Sequence, residues 1–581
     1  MPNKLSSLPF VGIAALLVLT TSCTSGDADL ILTNANVYTL SWDDPDREGA
    51  PAPNAPVSEG VWSPDAEAVA LKDGLILAVG SAADVEEYRG SNTEVRDLQG
   101  AFVLPGLIES HGHYEELGEM AEEVDLIGIT TEEEIIDRVV ARAESFGEGE
   151  WIVGRGWDEG EFANRLPTNR RLNELFPTTP VVLKGLRGFG ILGNAAALEA
   201  VGIDRDTQTP SGGEIVKDVN GALTGVLLNR AEPLLRYSIP ERSLEQRKRV
   251  LLHGLNAILE KGYVAGHHAG IFPNYTEAYL ALAAEDALPI RVEAMLSTRE
   301  AGRELLEEWL ERGPTENPRE LLQIRSVKAY YDASLGSRGA KMIEDYSDLP
   351  GEGGEYGTQY GFIEDLVAQS MAAGFQAVIH AIGDGGNRDV LDFYETVLTD
   401  HPDSRALRHR IEHAQVVHPD DFARFAELDL VASMQPPHAV EDAPWAEDRV
   451  GPVRILGAYA WRTFRRNGVP LIFNSDLSGS DFDFFYGLHS AVTRTNKDLE
   501  PEGGWYANQR MTPEEALRAY TIWPAYASLR EELTGTIEVG KWGDLTVLSM
   551  DPLNVGTSDP HALLNGEVLM TVVEGDIAYE N

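Results

Sequence analysis

The sequence predicts an α/β fold: a TIM-type (β/α)8 barrel joined to a small β-sandwich that is built from both termini. Both ends of the 581-residue chain carry short alternating apolar segments with turn signals, which are typical of antiparallel strands. The long middle alternates short apolar runs with helix-like segments, which favours βα units and a parallel sheet. A chain of this length exceeds one ordinary core, so we expect more than one domain.

Residues 1–22 have the layout of a secretory signal peptide. Lys4 supplies a positive charge, an apolar run spans residues 10–20, and small residues precede Cys23, the only cysteine. Small residues before a cysteine resemble a bacterial lipoprotein cleavage site, although Leu19 stands four positions before Cys23 rather than the usual three. We therefore expect an exported protein of a bacterial cell envelope, lipid-anchored through Cys23 and facing the periplasm or the exterior. A plainly cleaved export signal and an uncleaved anchor remain open.

The composite β-sandwich is predicted from residues 29–105 and 534–581. The alternating segments are Asp29–Leu40, Ala66–Gly80, Gly535–Leu548 and Val568–Tyr579. A turn signal, Lys72-Asp73-Gly74, lies inside the second segment. The stretch from Asp43 to Pro64 is rich in Pro, Asp and Ala, and we expect it to be a loop.

Residues 106–533 are predicted to form the barrel, because eight consecutive βα units close into one. The apolar runs expected as strands are Val181–Leu183, Ile324–Tyr331, Ala377–His380, Arg410–His413, Leu430–Met434 and Leu471–Asn474. The helix-like segments are Glu133–Phe146, Ser243–Glu260, Glu364–Ala373, Asp389–Leu398 and Pro513–Tyr520. The stretch at about 150–240 is denser in turns and is predicted as an insertion between early barrel units.

The charge balance excludes some partners. The chain has 94 acidic and 47 basic residues, a formal net charge of −47, so nucleic acid and anionic membrane surfaces would repel it. We expect a small-molecule substrate, no nucleic-acid partner, and membrane contact only through a lipid on Cys23. A homodimer remains open.

The run that ends in His111-Gly112-His113 predicts a metal site. Successive side chains on a strand point to opposite faces, so histidines two positions apart project to the same side. Imidazole is the commonest protein ligand of divalent transition metals near neutral pH. The pair alone is a weak signal, and the later strand ends must supply further ligands.

Four later polar residues stand at or near the ends of apolar runs: Lys328, His380, His413 and Asp476. In a βα barrel the functional groups lie at these carboxyl ends of strands. The ordered set resembles the amidohydrolase superfamily, whose metal-dependent hydrolases use His-x-His, a lysine, two histidines and an aspartate. The segments at 105–111, 151–158, 332–338, 380–384, 411–415 and 435–438 resemble amidohydrolase family 3, which includes N-substituted formamide deformylases. The resemblance runs from about residue 29 to the C-terminus.

The resemblance implies a role for each of these residues. His111, His113 and Asp476 would hold the more buried metal, and His380 and His413 the more exposed one. Lys328 would react with carbon dioxide, and its carbamate would bridge the two metals; the alternative is that Lys328 pairs with a carboxylate. Zinc is the expected metal, as one ion or two. Asp476 would be both a metal ligand and the general base, taking a proton from the metal-bound water and passing it to the leaving nitrogen.

Five residues are candidate substrate contacts: Trp157, Phe189, His267, Arg338 and His438. Three of them have a structural alternative: packing for Trp157, a role behind the ligands for His267, and bracing of its own loop for Arg338. Two departures from the family pattern stand out. Phe189 replaces a histidine of the usual Asp-Gly-His run, which indicates a more apolar pocket there, and Glu109 replaces the usual aspartate before Ser110-His111.

We therefore predict an exported metal-dependent hydrolase of carbon–nitrogen bonds other than peptide bonds, acting on a small amide, N-acyl or N-formyl compound. Two alternatives remain open. The same chemistry would hydrolyse cyclic amides, carbamates or ester-like bonds. A lipoprotein that binds a small molecule without catalysis would have no need of the whole ligand set.

Overall fold

The computed structural model describes residues 26–147, 149–157, 166–185 and 190–581. The predicted signal peptide, Cys23 and Phe189 therefore lie outside the described residues. Within those ranges, no helix has both the length and the apolar character needed to cross a lipid bilayer.

The N-terminal part forms strands and one short helix. The strands are β1 (Leu30–Thr33), β2 (Asn36–Val37), β3 (Val57–Ser58), β4 (Val61–Trp62), β5 (Ala68–Lys72), β6 (Leu75–Gly80), β7 (Glu94–Asp97) and β8 (Phe102–Pro105), and the helix is α1 (Ala82–Glu86). Asp73 and Gly74 join β5 to β6 with φ angles of 49° and 76°, as a tight hairpin turn requires. The stretch predicted as a loop contains only the small β3–β4 hairpin.

The first barrel strand is followed by an inserted sheet. Strand β9 (Leu107–Gly112) and helix α2 (Tyr114–Glu122) belong to the barrel. The insertion contains α3 (Glu132–Ala143), α4 (Arg170–Leu175), α5 (Ala195–Ala200), α6 (Pro233–Arg236) and six strands: β10 (Val124–Asp125), β11 (Ile152–Trp157), β12 (Val181–Gly185), β13 (Gly190–Gly193), β14 (Gly213–Lys217) and β15 (Leu223–Asn229). Their order is β10-β11-β12-β13-β15-β14.

The insertion begins earlier in the chain than predicted. Strand β10 pairs in parallel with β11, with Val124 opposite Gly154, and the buried Ile135 and Val139 of α3 belong to the core of the inserted sheet. The departure from the barrel is therefore at Val124 rather than near residue 150. The sequence did not show this because a two-residue strand carries no periodicity.

Seven further parallel strands complete the barrel: β16 (Tyr263–Ile271), β17 (Arg291–Ser297), β18 (Leu322–Tyr330), β19 (Gln376–Ala381), β20 (Arg410–His413), β21 (Val431–Met434) and β22 (Leu471–Phe473). The helices around and between them are α7 (Leu244–Leu259), α8 (Pro273–Ala284), α9 (Arg303–Arg312), α10 (Glu364–Ala372), α11 (Asp384–Asp400), α12 (Phe422–Glu427), α13 (Pro436–Glu441), α14 (Ala446–Arg454), α15 (Trp461–Arg466), α16 (Phe484–Thr493), α17 (Pro513–Arg518) and α18 (Ile522–Ala527). The strand order is β9-β16-β17-β18-β19-β20-β21-β22. The His113 N–H donates to the Leu477 carbonyl, at 2.6 Å, and links the last unit to the first. The predicted TIM-type barrel is confirmed.

The C-terminal residues return to the N-terminal sheets through β23 (Leu545–Leu548), α19 (Pro552–Ser558), β24 (Val568–Val573) and β25 (Asp576–Glu580). The five-stranded sheet, β2-β8-β23-β24-β25, contains both ends of the chain, whereas the four-stranded sheet, β6-β5-β1-β7, is entirely N-terminal. Leu32 and Val69 of one sheet and Val547 and Val572 of the other share one core. Thr546 Oγ1 donates to the Gly262 carbonyl beside the barrel, at 2.7 Å.

Candidate metal centre

The six predicted ligand residues line one cavity at the carboxyl edge of the barrel. Strand β9 supplies His111, with His113 one residue beyond its end; β18, β19 and β20 supply Lys328, His380 and His413. The turn after β22 supplies Asp476. The cavity has a volume of about 250 Å³. Four barrel strands and one turn thus bring together residues that are far apart in the sequence.

The ligand atoms lie close enough to share an ion. Asp476 Oδ1 is 3.3 Å from His111 Nε2 and 3.5 Å from His113 Nε2. Lys328 Nζ is 3.1 Å from His111 Nε2, and the ring centroids of His380 and His413 are 4.4 Å apart. The donors of His111, His413 and Asp476 lie within 4.8 Å of one another. Imidazole nitrogens and a carboxylate converging in this way fit a divalent transition metal such as zinc.

Hydrogen-bond partners set the orientation of two of the imidazole rings. Glu412 contacts His111 Nδ1, and Gln435 Oε1 is 3.0 Å from His413 Nδ1. In both rings Nε2 is therefore left for the cavity. Carboxylate and amide partners of this kind fix the tautomer of a metal-ligating histidine. The sequence alone does not predict these roles for Glu412 and Gln435.

Burial disfavours the protonated forms of His111, His413 and Lys328. It lowers the pKa of His111 to about 4, with a contribution from the charge of Lys328, and the pKa of His413 to about 3. Burial also lowers the pKa of the Lys328 amine to about 8. Near neutral pH these histidines offer lone pairs, and Lys328 has a substantial neutral fraction.

Two candidate ligands occupy left-handed backbone conformations. His413 has a φ of 71° and Asp476 a φ of 55°, which is uncommon for residues other than glycine and is found disproportionately at functional sites. The turn that carries Asp476 is braced by Glu109, which accepts hydrogen bonds from the Ser475 N–H and hydroxyl, each at 3.0 Å. The longer side chain at position 109 thus has a structural role next to the ligands.

Two of the five candidate substrate contacts lie at or below the ligands. His438 Nε2 is 4.0 Å from Asp476 Oδ2, and its ring is parallel to that of His413, with centroids 6.3 Å apart. His267 is buried inside the barrel, where its Nδ1 is 3.2 Å from Arg410 Nη1. His438 is therefore placed where it can meet a substrate, whereas His267 lies behind the ligands.

The structure does not bring Arg338 or Trp157 to the cavity. Arg338 Nη2 lies 2.8 Å from Asp348 Oδ2, so the guanidinium braces its own loop instead of clamping a substrate. Trp157 is fully buried in the core of the inserted sheet, and its indole N–H donates to the Leu183 carbonyl at 2.8 Å. The contact predicted for Phe189 lies outside the described residues.

Several cavity residues were missed by sequence reasoning. Glu115, Glu116, Arg299, Tyr330 and Tyr360 line the same cavity. The guanidinium of Arg299 lies over the Tyr330 ring, 3.8 Å from its centroid. Glu115 and Glu116 stand two and three positions after His113, so their place in the chain was a usable signal. Arg299 gave none, because it lies in a loop without a recognisable pattern.

Comparison with known proteins shows the family of this chain. The amidohydrolase family matches residues 94–579. The protein YtcJ of Bacillus subtilis is 32% identical over 521 residues, covering 88% of this chain and 96% of that protein. The N-substituted formamide deformylase of Arthrobacter pascens is 27% identical over 572 residues, covering 95% and 98%. An uncharacterized metal-dependent hydrolase from Pyrococcus furiosus has a solved structure with a TM-score of 0.70 and 27% identity, covering 90% of this chain and 99% of that one. Because the family match spans most of its length, this chain belongs to the amidohydrolase family and is a metal-dependent hydrolase, as its sequence predicted.

Proposed function

We propose that this chain hydrolyses a carbon–nitrogen bond other than a peptide bond in a small amide, N-acyl or N-formyl compound. The observation that carries the proposal is the convergence of His111, His113, Lys328, His380, His413 and Asp476 on one cavity. The name of the Arthrobacter relative, an N-substituted formamide deformylase, supports the bond type. The cavity volume of about 250 Å³ lies below the range of drug-sized pockets, which favours a small substrate.

The six residues would hold one or two divalent ions, and zinc is the ion that we propose. When bound, such an ion lowers the pKa of water and polarises a carbonyl oxygen. Asp476 would take the water proton, because its carboxylate lines the cavity and lies 3.3 Å from His111 Nε2 and 3.5 Å from His113 Nε2. Although burial raises the pKa of Asp476, the neighbouring histidines hold it well below its usual value, so the side chain is a carboxylate near neutral pH. It then donates that proton to the leaving nitrogen, which must depart as a neutral amine.

Lys328 is proposed to be carboxylated. Its buried, neutral amine attacks carbon dioxide, a new N–C bond forms, and one amine proton is lost to solvent, which leaves a carbamate anion. The amine lies 3.1 Å from His111 Nε2. At this position a protonated lysine could not bind a metal ion, whereas its carbamate could. The pKa of about 8 supports this step, because only the neutral amine is nucleophilic.

Export and lipid anchoring at Cys23 are a separate proposal, which the residues around position 23 support. Expression of the full chain with Cys23→Ser as the matched variant tests it. We expect the wild-type chain in the membrane fraction and the variant released from it. A wild-type chain recovered entirely in the soluble fraction would contradict lipid anchoring.

A substrate panel on purified protein tests the proposed reaction. We expect zinc or a related metal in the purified chain, loss of hydrolysis after chelation, and recovery when metal is restored. The panel contains N-formyl and N-acyl amines, cyclic amides, carbamates and simple esters, so that the bond type is measured rather than assumed. Metal-loaded protein that binds panel compounds without hydrolysing any of them would overturn the proposal.

A further inference from the structure

One cation on the wall of the metal cavity has no role in the proposed ligand set. Arg299 follows β17 at the carboxyl edge of the barrel and lines the same cavity as the six ligand residues. Among the described residues of the cavity wall, Lys328 is the only other lysine or arginine, and the proposed metal centre already uses it. Arg299 therefore brings to the cavity a positive charge that the metal centre does not need.

The guanidinium of Arg299 is held against an aromatic ring. Its Cζ lies 3.8 Å from the centroid of the Tyr330 ring. Tyr330 stands two positions after Lys328 on β18, so the two side chains project to the same face of the strand. The Tyr330 ring is in turn 5.9 Å from the ring of His380, between centroids. The guanidinium is therefore one ring contact away from a candidate metal ligand.

The same guanidinium has no acidic partner within the described part of the chain. There its side chain contacts the Tyr330 ring, and its backbone N–H donates to Ser297 Oγ at 3.3 Å. The side chain is exposed. Stacking engages the face of a guanidinium, whereas its five N–H donors point outward in its plane. These donors can therefore meet a ligand that enters the cavity.

Two carboxylates on the cavity wall would favour a cationic ligand instead. Glu115 and Glu116 both line the cavity. Glu115 contacts the imidazole of His268, and Glu116 accepts a hydrogen bond from the Ser478 hydroxyl at 2.8 Å. Each carboxylate thus has a partner, whereas the described residues offer none to the guanidinium. This difference favours an anionic substrate group over a cationic one.

A purely structural role for Arg299 is the competing explanation. Stacking on an aromatic ring stabilises an exposed arginine without any ligand. Arg312 shows the same arrangement elsewhere: its Cζ lies 4.3 Å from the centroid of the Trp309 ring, both on α9. Arg312 is also exposed, but it is not among the described residues that line the cavity. A comparison of the two arginines therefore separates stacking from ligand binding.

We propose that Arg299 binds a carboxylate of the substrate, so that the enzyme prefers small N-acyl or N-formyl compounds that carry such an anionic group. The planar guanidinium matches a carboxylate in geometry and can donate two parallel hydrogen bonds to it. The acyl carbonyl would meet the ligand set while the carboxylate meets Arg299. This inference rests on the proposed function, because it names the substrate class of the same cavity.

Binding of a ketone analogue to the zinc-loaded full chain tests the inference without turnover. In 4-oxopentanoate a CH2 group replaces the amide N–H of N-acetylglycine, so the compound cannot be hydrolysed, and 4-oxopentanamide is its uncharged partner. Isothermal titration calorimetry should show that the wild type binds the acid about 10-fold more tightly than the amide, since hydrogen bonds to charged groups are strong. Arg299→Gln should lose this preference, and Arg299→Lys should keep part of it. Arg312→Gln, the matched control, should keep all of it.

Steady-state kinetics provides a second measurement. The substrates are N-formylglycine and N-acetylglycine, their uncharged amides, and the cationic N-acetylethylenediamine. Arg299→Gln should raise KM for the acids about 10-fold and change kcat little, because a carboxylate remote from the scissile bond is bound equally before and during the reaction. The kinetic constants for the amides should stay the same in Arg299→Gln, and those for all substrates should stay the same in Arg312→Gln.

The outcomes separate this inference from the proposed function. A preference for the acid that survives in Arg299→Gln would show that the metal alone binds the carboxylate and would overturn the inference. A higher kcat/KM for N-acetylethylenediamine than for N-acetylglycine would also overturn it, since the acidic side chains would then determine specificity. Zinc-loaded protein that binds 4-oxopentanoate through Arg299 but hydrolyses no compound would overturn the proposed reaction and leave the anion site. Hydrolysis without any preference that depends on Arg299 would do the reverse.

Discussion

The carboxylate of Glu412 contacts Nδ1 of His111, a residue 301 positions away in the sequence. Glu412 is itself held by Arg410 Nε and Ser433 Oγ, each at 2.7 Å. The imidazole of His111 is therefore fixed with its Nε2 towards Asp476, at 3.3 Å. The orientation of the His111 ring therefore depends on residues of β20 and β21 as well as on β9, the strand that carries His111.

Substitution of Glu412 by Gln should weaken metal binding. The amide retains the shape of the side chain but not the charge that fixes the His111 tautomer, so the Nε2 lone pair is no longer held towards the metal. Loss of such a partner typically lowers metal affinity about 10- to 100-fold. Competition with a chromophoric zinc chelator measures the change.

A buried carboxylate elsewhere in the chain provides the control. Glu514 accepts hydrogen bonds from Arg518 Nε and from the Trp42 indole, at 3.0 and 2.7 Å, as Glu412 does from Arg410. Glu514→Gln should leave the zinc affinity unchanged. Equal affinities in Glu412→Gln and the wild type would refute the role of Glu412.

Asp476→Asn should abolish most of the activity while the chain still folds. The amide oxygen can still ligate a metal, but it cannot accept the water proton, and general acid–base catalysis contributes about 100- to 10,000-fold to a rate. We therefore expect kcat to fall by about that factor, and by more than the zinc content falls. Steady-state kinetics and metal analysis on the same samples compare the two losses.

The aspartate that pairs with Arg338 supplies the control for that experiment. Asp348 lies in the loop braced by Arg338 and Arg449, and Asp348→Asn should keep a kcat close to that of the wild type. An Asp476→Asn protein with normal kcat would rule out Asp476 as the general base.

Local patterns predicted the barrel and the positions of its strand-end residues. Lys328, His380 and His413 lie on apolar strands, so their place at the barrel edge followed from the fold class. The partners of those residues could not be predicted in the same way. Glu412 is two positions from Arg410 on one strand, but its contact with His111 depends on the closure of the barrel.

Other expectations failed for related reasons. The motif around Arg338 could not show that the guanidinium pairs with Asp348, because that pairing depends on the path of a loop. The motif around Trp157 did not distinguish a pocket wall from the core of the inserted sheet. Arg338 and Trp157 both have side chains of a type that often contacts substrates. In both cases the packing of neighbouring segments determines whether the side chain reaches the cavity.

Lys328 should take up carbon dioxide in metal-loaded protein. With a pKa of about 8, about a tenth of the amine is neutral at pH 7, far more than for an exposed lysine. Protein equilibrated with ¹³C-bicarbonate and zinc should show a carbamate signal in ¹³C NMR. The signal should grow as the pH rises from about 6.5 to 8, because the neutral fraction increases over that range.

Two arginine variants show which lysine is responsible. Lys328→Arg should lack the carbamate signal, since a guanidinium does not lose its proton near neutral pH. Lys341→Arg, which changes a lysine paired with Asp389 outside the ligand set, should retain the signal. A metal-loaded wild-type protein with no carbamate signal would contradict carboxylation.

His409 should make the fold sensitive to acid. The residue is buried, its Nδ1 accepts the Ala377 N–H at 2.9 Å, and its Nε2 is 2.9 Å from Ser404 Oγ. Because Nδ1 accepts, the ring must be neutral and Nε2 must carry the hydrogen. Burial lowers the pKa of His409 to about 3, whereas an unfolded histidine titrates near 6.5. Between these values the unfolded state binds one more proton, so stability falls as the pH decreases.

The expected contribution of His409 is about 1.4 kcal/mol per pH unit, present above a pH of about 6.5 and lost progressively towards pH 3. His409→Asn keeps an acceptor for the Ala377 N–H but cannot be protonated. The variant should be less stable than the wild type at pH 7, because it loses the stacking of the ring on Tyr394, and the difference should shrink on acidification. Denaturant unfolding at pH 7, 6, 5 and 4 measures it. His418→Asn, at a partly buried histidine, should leave the pH dependence as in the wild type. A constant difference between His409→Asn and the wild type would exclude this role for His409.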